Sequence, residues 1–493
     1  MVFRIVKKEI LESLLSLRFM LSSVLVVLVF ATSGFVFVAN CKQQLLDYQE
    51  GTSKNTASLR EGGGGRGRGP ALREEETDPG GASGKPLYEL AFLEQDIWRR
   101  PKALSMCVGG SERSLPNRFG TTAFGMGRLL VKRPGNFLLR WSGDMDWAFI
   151  VSVLLSFMAL LLTYDAFSGE REAGTLRLLL SAAIPRDKVL TGKYLGVMLT
   201  LGIPFAAGAM VHMLIVRSYG IAAITAGDWL KILVIVLISF AYLSFFVLLG
   251  LLVSGRAQHS VSSMVILLLV WVGLVVLVPS SGRLAARAFG DFMPRAELAR
   301  KVAEATQEIW ANSARYGERA GTMAGDRDDP RNNPPARAKL KRAVTQAKNQ
   351  LREEYLLLAR AQATLGRQFT RVSPVVMYQI AAETIAGTGI RRCFDIYDQL
   401  KEYRAALMDY IRAKDQEDPE SLHLICEERS MATRWQAISH QPVDFESIPK
   451  FRESDMPMGE ALKSAIWDVG LLVALNVVLF AAAHVSFSRY DVR

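Results

Sequence analysis

The feature that most constrains this chain is a series of long apolar segments separated by charged ones. A helix needs about 20 consecutive apolar residues to cross the hydrocarbon core of a bilayer. Segments of roughly this length run from Phe19 to Ala39, Trp147 to Tyr164, Leu195 to Val216, Trp229 to Val253, Ser260 to Val278 and Ala465 to Phe487. Core helices of soluble proteins rarely run so long without a polar face. The sequence therefore predicts an all-α polytopic membrane protein with about six transmembrane helices.

The N-terminal apolar segment is predicted to be a retained span rather than a cleaved signal peptide. It is longer than the apolar part of a typical signal peptide, and Asn40-Cys41-Lys42 is not a small-residue cleavage site. Before it, Phe3 and Leu14 belong to an apolar stripe at helical spacing, with basic residues on the other face. This stripe predicts an amphipathic helix in the cytoplasmic interface. A helical extension of the first span is an equally open interpretation.

Basic residues predict the orientation of the spans. They cluster before the first span, between the second and third spans, between the fourth and fifth, and after the sixth. The positive-inside rule places these regions and both termini in the cytoplasm, so the chain is expected to cross the inner (plasma) membrane several times. The predicted regions are residues 1–39 (N-terminal helix and first span), 40–146 (extracytoplasmic), 147–279 (spans two to five), 280–463 (extracytoplasmic) and 464–493 (sixth span and cytoplasmic tail).

The net charge of +11 does not indicate nucleic-acid binding, because the basic residues are spread over loops that also carry acids. None of the five histidines has zinc-site spacing to a second ligand, and no catalytic arrangement follows from the spacing of polar residues. We therefore expect no metal, no cofactor, no nucleic-acid partner and no enzymatic site on this chain. Asp468 is expected at a membrane interface, and His212 and His484 are candidates for function or packing.

All four cysteines, Cys41, Cys107, Cys393 and Cys426, fall in the segments predicted to lie outside the cytoplasm. An oxidising compartment permits disulfides. The preferred pairing joins Cys393 to Cys426, which bracket one polar helical stretch, and then Cys41 to Cys107. Buried free thiols are the open alternative.

The second long outside segment is predicted to be mainly helical. Apolar residues repeat at coiled-coil spacing in two stretches, which predicts a helical hairpin broken within residues 317–335, with a third helix over residues 393–414. The repeats are Leu298, Val302, Ala305 and Ile309, then Leu340, Val344, Ala347, Leu351, Tyr355 and Leu358. A plain spacer and a partner-binding domain are both compatible with this pattern. In the first outside segment, the glycine-rich residues 61–85 are interpreted as a flexible linker.

The segment after the second span is the most informative for function. Glu170, Arg171 and Glu172 form a charge cluster where acids suit the positive end of a new helix. Leu176 and Leu179 then give that helix an apolar side, and a proline ends it. A short amphipathic helix over residues 169–183 suits docking of a cytoplasmic partner. A helix resting on lipid is the alternative.

This segment resembles the signature of ABC transporter permeases of the type-2 exporter class. The matching residues are Phe167, Gly169, Glu170, Arg171, Glu172, Gly174, Thr175, Leu176, Leu179, Leu180, Ser181, Pro185, Arg186, Gly192 and Lys193. The long outside segments depart from the small exporters of this class and are similar to those of a bacterial subfamily with large loops after the first and fifth spans.

The resemblance implies a transport subunit without its own ATP site. A separate cytoplasmic ABC ATPase would bind the coupling helix, and the chain would pair with a second permease subunit, identical or related. The coupling residues implied are Glu170, Arg171, Glu172, Gly174, Thr175, Leu176 and Leu179. Within this implication, the two glutamates make charged contacts to the ATPase, Gly174 permits close approach, and Arg186 anchors the next turn at lipid headgroups.

Three functions follow from these observations. The first is ATP-driven export. The second is mechanotransmission, in which cytoplasmic ATP works an extracytoplasmic domain on a periplasmic partner without transport through the bilayer. The third, a membrane-anchored receptor or scaffold, is disfavoured by the coupling segment.

Overall fold

The computed structural model describes residues 2–60, 85–110, 116–130, 145–175, 185–221, 224–281, 293–316 and 333–489. Six helices in it are long and apolar enough to cross a membrane, which confirms the predicted polytopic all-α class. They extend over Leu17–Arg60, Trp147–Glu172, Arg186–Ser218, Ala226–Arg256, Ser260–Ser281 and Met458–Ser488, and are called the first to sixth spans below. Each predicted apolar segment falls inside one of them.

The elements of the first half are mostly the spans and the helix that precedes them. The helices are α1 Val2–Leu15, α2 Leu17–Arg60, α3 Leu87–Phe92, α4 Trp147–Phe149, α5 Ser156–Thr163, α6 Ser168–Glu172, α7 Arg186–Ser218, α8 Ala226–Arg256 and α9 Ser260–Trp271. Strands β1 Lys85–Pro86, β2 Gln95–Trp98, β3 Arg118–Thr121 and β4 Met126–Leu130 lie between the first two spans.

In the described residues of the second half, five helices precede the last span. They are α10 Arg295–Ala311, α11 Pro334–Thr370, α12 Pro374–Ala386, α13 Ile390–Gln416 and the short α14 Arg429–Trp435, followed by strand β5 Pro442–Val443 and α15 Met458–Ser488. Helix α13 covers the predicted third helix. Helices α10 and α11 pack against each other as a hairpin, and the Lys341 ammonium lies 4.9 Å from the centre of the Trp310 ring.

Two spans contain π-helical segments, Ile150–Leu155 in the second and Val272–Leu277 in the fifth. A π-segment leaves backbone carbonyls free of their usual helical partners. The Tyr242 hydroxyl of the fourth span donates to the Ser152 carbonyl in the first of these segments, at 2.8 Å. The Trp271 indole of the fifth span donates to Ser156 Oγ, at 2.9 Å. The second span is therefore joined to the fourth and fifth by polar contacts within the membrane region.

The segment between the first and second spans and the segment between the fifth and sixth spans form one structure. We call it the loop domain; it consists of residues 85–110, 116–130, 293–316 and 333–456 with the end of α2. Strand β1 pairs antiparallel with β5, which joins Lys85 of the first segment to Val443 of the second. A shared apolar core contains Leu59 of α2, Leu90 of α3 and Leu407 of α13. The separate small sheet β2-β3-β4 is antiparallel. The sequence treated these segments as two separate regions, because pairing over so long a stretch of chain leaves no local pattern.

Helix α12 inserts between three spans and was not predicted. Its Tyr378 ring stacks on Tyr242 with centroids 4.9 Å apart, and its hydroxyl lies 2.9 Å from Ser239 Oγ. Ser239 lies about 20 Å along the fourth span from its first residue, at a rise of about 1.5 Å per residue. Ser373, which precedes α12, donates to the Leu274 carbonyl in the fifth span at 2.6 Å. The loop domain therefore reaches deep among the spans.

Neither predicted disulfide is present in the structure. Cys393 packs on α13 beside Ile97 and Phe119, whereas Cys426 belongs to a different core cluster and donates to the Met431 sulfur at 3.6 Å. The predicted bond between these two cysteines is therefore not formed in the structure, where they belong to two separate core clusters. Cys41 and Cys107 are both buried in the large apolar core that includes the spans. The predicted bond between them is likewise not formed.

Two polar residues of the spans have packing partners. His212 is fully buried, with Nδ1 3.2 Å from the Phe30 carbonyl and its ring edge-on to Trp147. Asp468 was expected at an interface, but it is 1 % exposed, and its Oδ1 lies 3.0 Å from Arg371 Nε at the end of α11. Burial of Asp468 follows from this ion pair, since a lone carboxylate would be too costly to desolvate.

Candidate functional site

The candidate site is the end of the second span together with the turn after it, residues 164–175, called the motif segment. Its first part is fastened by Ser254 near the end of the fourth span. Ser254 Oγ accepts from the backbone N–H groups of Phe167, at 3.0 Å, and Ser168, at 3.2 Å. The buried Phe167 ring lies 4.6 Å from the Phe487 ring of the sixth span. The chain is thereby turned sharply back at the membrane surface.

Glu170 joins the motif segment to the third span and to α1. Its Oε1 accepts from Lys193 Nζ at 2.9 Å, and the same ammonium donates to Glu9 Oε1 at 2.8 Å. Lys193 is 3 % exposed, so the two carboxylates hold an almost fully buried charge. Lys8 adds a second cation 4.0 Å from Glu170 Oε1. The cluster of Lys8, Glu9, Glu170 and Lys193 is neutral in sum and is called the lysine cluster below.

Glycine lets α1 approach the third span closely enough to form this cluster. A methyl group on Gly192 would lie 2.7 Å from a side-chain carbon of Ile5, and one on Gly196 would lie 2.7 Å from Glu9 Cβ. Contacts this short do not occur between carbon atoms in real proteins. Helix α1 therefore rests on the third span through positions that only glycine can occupy without displacing it. Its exposed apolar residues, Phe3 and Leu15 among them, are consistent with the predicted interfacial helix.

Arg171 and Glu172 fasten the segment to two further spans. The Arg171 guanidinium donates to the carbonyls of Gly255, at 2.9 Å, and Ala257, at 2.6 Å, where the fourth span ends. Glu172 accepts from the backbone N–H and the hydroxyl of Ser260, at 2.9 and 2.8 Å, where the fifth span begins. A cation at the carboxyl end of a helix and an anion at the amino end both complement the helix dipole. Each charged residue of the motif thus binds a different helix.

Gly174 and Thr175 face outward. Gly174 has φ +72, in the left-handed region, and an added methyl group would meet nothing within 4 Å. A glycine in this conformation is a common way to end a helix, here α6. Close approach was the role predicted for Gly174; the structure gives it a conformational role in the free chain. The Thr175 hydroxyl donates to the Glu170 carbonyl at 3.2 Å. Leu176 and Leu179, and the rest of the predicted helix 169–183 after residue 175, lie outside the described residues.

Two arginines near the motif segment bind groups at the ends of other spans. The Arg18 guanidinium at the start of the first span donates to Asp165 at 3.0 Å and to the Tyr164 hydroxyl. Arg186 donates to the Ser488 carbonyl at 2.6 Å, at the end of the sixth span. This contact differs from the predicted anchoring of Arg186 at lipid headgroups, because an unsatisfied helix-end carbonyl lies within its reach.

The motif could be recognised in the sequence, but the residues that bind it in the structure could not all be predicted. Lys193 was one residue of the matched signature, yet its two carboxylate partners were not predicted. Glu9 belongs to the N-terminal helix, and Ser254 and Ser260 lie at the ends of spans. A signal was present in Lys193 itself, since an ionisable residue next to an apolar run needs a partner. Nothing local identified Glu9 as that partner.

The family model for the ABC-2 family transporter protein matches residues 3–492. The chain belongs to the ABC-2 transporter family. Among curated proteins it is similar to the probable ABC transporter permease protein NosY of Stutzerimonas stutzeri, with 33 % identity over 135 residues, 27 % of this chain and 47 % of that protein. It is also similar to the probable ABC transporter permease protein NosY of Pseudomonas aeruginosa, with 49 % identity over 47 residues, 10 % of this chain and 17 % of that protein.

The matched stretches therefore span less than half the length of these two relatives. The family, with the six candidate spans, supports an ABC transporter permease subunit that crosses the membrane several times. Permeases of this family normally work with an ATPase and a second permease, and normally lack an ATP site of their own.

Proposed function

We propose that this chain is the permease subunit of an ATP-driven exporter, and that a separate ABC ATPase docks on the motif segment. The observation that carries the proposal is the way the segment is held. Glu170, Arg171 and Glu172 fasten it to the third, fourth and fifth spans, while residues 173–175 remain exposed. A push on the exposed turn is therefore delivered to three spans and α1 together.

This arrangement refines the roles of the charged residues. Glu170 and Glu172 were expected to contact the ATPase, and they stay candidates for it. In the free chain, however, both carboxylates accept from groups of the permease itself. We propose that their main task is to transmit force, and that residues 173–175, with the coupling helix predicted from the sequence after them, make the first contact with the ATPase.

Docking can be tested by co-purification with a candidate ABC ATPase. The permease carries Thr175→Trp, which adds bulk to the exposed turn, and the matched control is Tyr219→Trp, an exposed residue after the third span. We expect Thr175→Trp to weaken the complex at least tenfold and to abolish permease-stimulated ATP hydrolysis, with the control unchanged. Equal binding by both variants contradicts docking on the motif segment.

The proposal includes a second permease subunit, identical or related. Apolar side chains of the first, fifth and sixth spans are widely exposed in the isolated chain, including Val24, Val261 and Leu269. These faces meet lipid or another permease. Residues 2–15 and 164–175 are proposed to lie on the cytoplasmic side of the inner membrane, together with both termini.

Mechanotransmission is the second candidate function, and helix α12 favours it. Through Tyr378 and Ser373 the loop domain contacts the fourth and fifth spans, and through Arg371 it contacts the sixth. Movement of these spans would therefore move the loop domain. A structure of the paired permeases in a lipid nanodisc discriminates the two functions. A continuous cavity lined by the first, second and fifth spans supports export, whereas a closed and tightly packed interface supports mechanotransmission.

A further inference from the structure

A cavity of about 590 Å³ opens in the loop domain, and none of its lining residues belongs to the motif segment. Its walls are α11, α13 and the loop of residues 423–427, with Phe124 of the β3–β4 turn. The volume lies within the range of about 300–1,000 Å³ typical of ligand sites.

The α11 wall is a polar stripe along one side of the helix. Arg342, Thr345, Gln346, Asn349, Gln350 and Glu353 line the cavity at spacings of three and one. They lie on the side of α11 opposite the apolar repeat that includes Leu340 and Val344, both buried. A helix that packed directly on α13 would need apolar residues here. The stripe instead holds α11 and α13 apart along the cavity.

Two charged groups of the cavity lack an opposite charge in the part of the chain that the structure describes. The Arg342 guanidinium donates to the backbone carbonyls of Ile425, at 2.7 Å, and His423, at 3.5 Å. Glu427 Oε2 accepts from the Thr345 hydroxyl at 2.8 Å. A cation and an anion, each held by a neutral partner, thus line the same cavity. A ligand with both an acceptor and a donor would satisfy them.

The loop that forms the third wall is held in a strained conformation. His423 has φ 54, which is unusual for a residue with a side chain. Asp415, 1 % exposed, lies 3.1 Å from His423 Nδ1 and accepts from Ser421 Oγ at 2.7 Å and from the backbone of Ser439 at 2.7 Å. Strain of this kind persists where the surrounding structure fixes it, and such positions cluster at binding sites.

We propose that this cavity binds an extended polypeptide segment. Side-chain amides carry both a donor and an acceptor, as peptide backbone groups do, and the stripe presents Gln346, Asn349 and Gln350 in a row. From Arg342 to Glu353 the stripe is about 16 Å long at a rise of about 1.5 Å per residue. An extended chain of about five residues has the same length. Arg342 pairs with an acidic group of the peptide and Glu427 with a basic one.

The test uses the full-length chain in lipid nanodiscs, without ATPase, so its outcome is independent of the function proposed above. The photoreactive residue p-benzoylphenylalanine replaces Gln350, and the probe is a pool of biotin-labelled hexapeptides of random sequence. We expect a peptide adduct on the protein after illumination. The control places the same residue at Glu354, an exposed position of α11 outside the cavity, where we expect no adduct.

Charge variants check that the cavity itself holds the peptide. Arg342→Ala is expected to reduce the adduct about tenfold, the effect of losing one charged hydrogen bond. Arg360→Ala, which removes an exposed arginine of the same helix that pairs with Asp398, leaves the adduct unchanged. Thermal melting of both variants shows that the loop domain is folded. Three outcomes would overturn the proposal. They are equal amounts of adduct at positions 350 and 354, an equal loss of adduct in both arginine variants, or no adduct at all.

Crosslinking in living cells then distinguishes the source of the polypeptide. An adduct of small mass that Arg342→Ala removes indicates a free peptide. An adduct of protein mass, equally removed and mapped to one short segment of the captured protein, indicates a partner. An adduct of lipid or saccharide at this position contradicts the proposal.

Discussion

Arg371 and Asp468 form an ion pair, with Nε and Oδ1 3.0 Å apart, between the end of α11 and the sixth span. The arginine is partly exposed and the aspartate is buried. Breaking the pair by Arg371→Met leaves the carboxylate without its cation, which we expect to lower the free energy of unfolding by about 1–3 kcal/mol. Thermal melting of the protein in nanodiscs measures this.

The double variant Arg371→Met with Asp468→Leu separates stability from coupling. It removes both charges, so we expect melting to recover to within a few degrees of the original. If the pair transmits movement, permease-stimulated ATP hydrolysis remains low in the double variant although its stability has returned. Full recovery of ATPase stimulation would show that the pair acts on stability alone.

Lys193 is expected to be essential for holding the motif segment and α1 against the third span. In Lys193→Met the carboxylates of Glu9 and Glu170 remain without the ammonium between them, and breaking a buried ion pair costs about 3–5 kcal/mol. We expect α1 and the motif segment to separate from the third span and the ATPase complex to be lost in co-purification. Lys188→Met, at an exposed position five residues earlier, is the control.

A combined variant identifies the cause of that loss. Glu9→Gln and Glu170→Gln added to Lys193→Met remove the repulsion, so α1 is expected to return to its position, as judged by resistance to limited proteolysis. A Lys193→Met protein that binds the ATPase normally would show that the lysine cluster is not needed to hold the motif segment in place for ATPase binding.

Gly174 tests the conformational requirement of the turn. Alanine is strained at φ +72 and asparagine much less so, and Gly174→Ala is expected to cost about 1 kcal/mol or more. We predict that Gly174→Ala weakens the ATPase complex severalfold and that Gly174→Asn weakens it less. Gly459→Ala, in an uncrowded helical position of the sixth span, should have no effect. The same loss with alanine and asparagine would point to close approach of the ATPase as the reason for glycine.

The loop domain is predicted to lose stability in acid through Glu428. Burial by itself raises the pKa of this carboxyl, but hydrogen bonds from Arg337 and the nearby Lys341 charge outweigh it and hold the pKa below its ordinary value. A group with a lowered pKa in the folded state stabilises above its unfolded pKa, and this contribution is lost as the pH falls through the folded pKa. The melting temperature should therefore drop on acidification below about pH 4.5.

Glu428→Gln provides the comparison for that measurement. At neutral pH the variant should melt below the original protein, because the Arg337 guanidinium loses its charged partner, which lies 2.7 Å away. As the pH falls, the difference between the two melting temperatures should shrink. A difference that stays constant down to about pH 3 contradicts the assignment.

The spans and the motif could be predicted from sequence because both are local patterns. A bilayer imposes a minimum apolar length, and the motif is a contiguous set of residues. Helix α12 escaped prediction because thirteen residues with interspersed polar groups resemble a short loop helix. Its burial depends on Tyr242 and Ser239, which lie far away in the chain. The lysine cluster escaped for the same reason, since Glu9 and Lys193 are brought together only by packing of α1.

Cysteine pairing failed for a related physical cause. Position on one side of the membrane permits a disulfide, but the bond also needs Cα atoms within about 7 Å. Cys393 and Cys426 belong to two different core clusters. No pattern in the sequence predicted that the two residues would be separated in this way.

The first span is one continuous helix from Leu17 to Arg60. Its 44 residues make it about 66 Å long at 1.5 Å per residue, roughly twice the hydrocarbon thickness of a bilayer. Arg18 ties one end to the motif segment, and at the other end Leu59 is part of the loop-domain core. In the proposed mechanism this helix would act as a lever: a tilt of about 5° would move its far tip by about 6 Å over that length. Under the function proposed above, a small displacement of the motif segment would thus reach the loop domain enlarged.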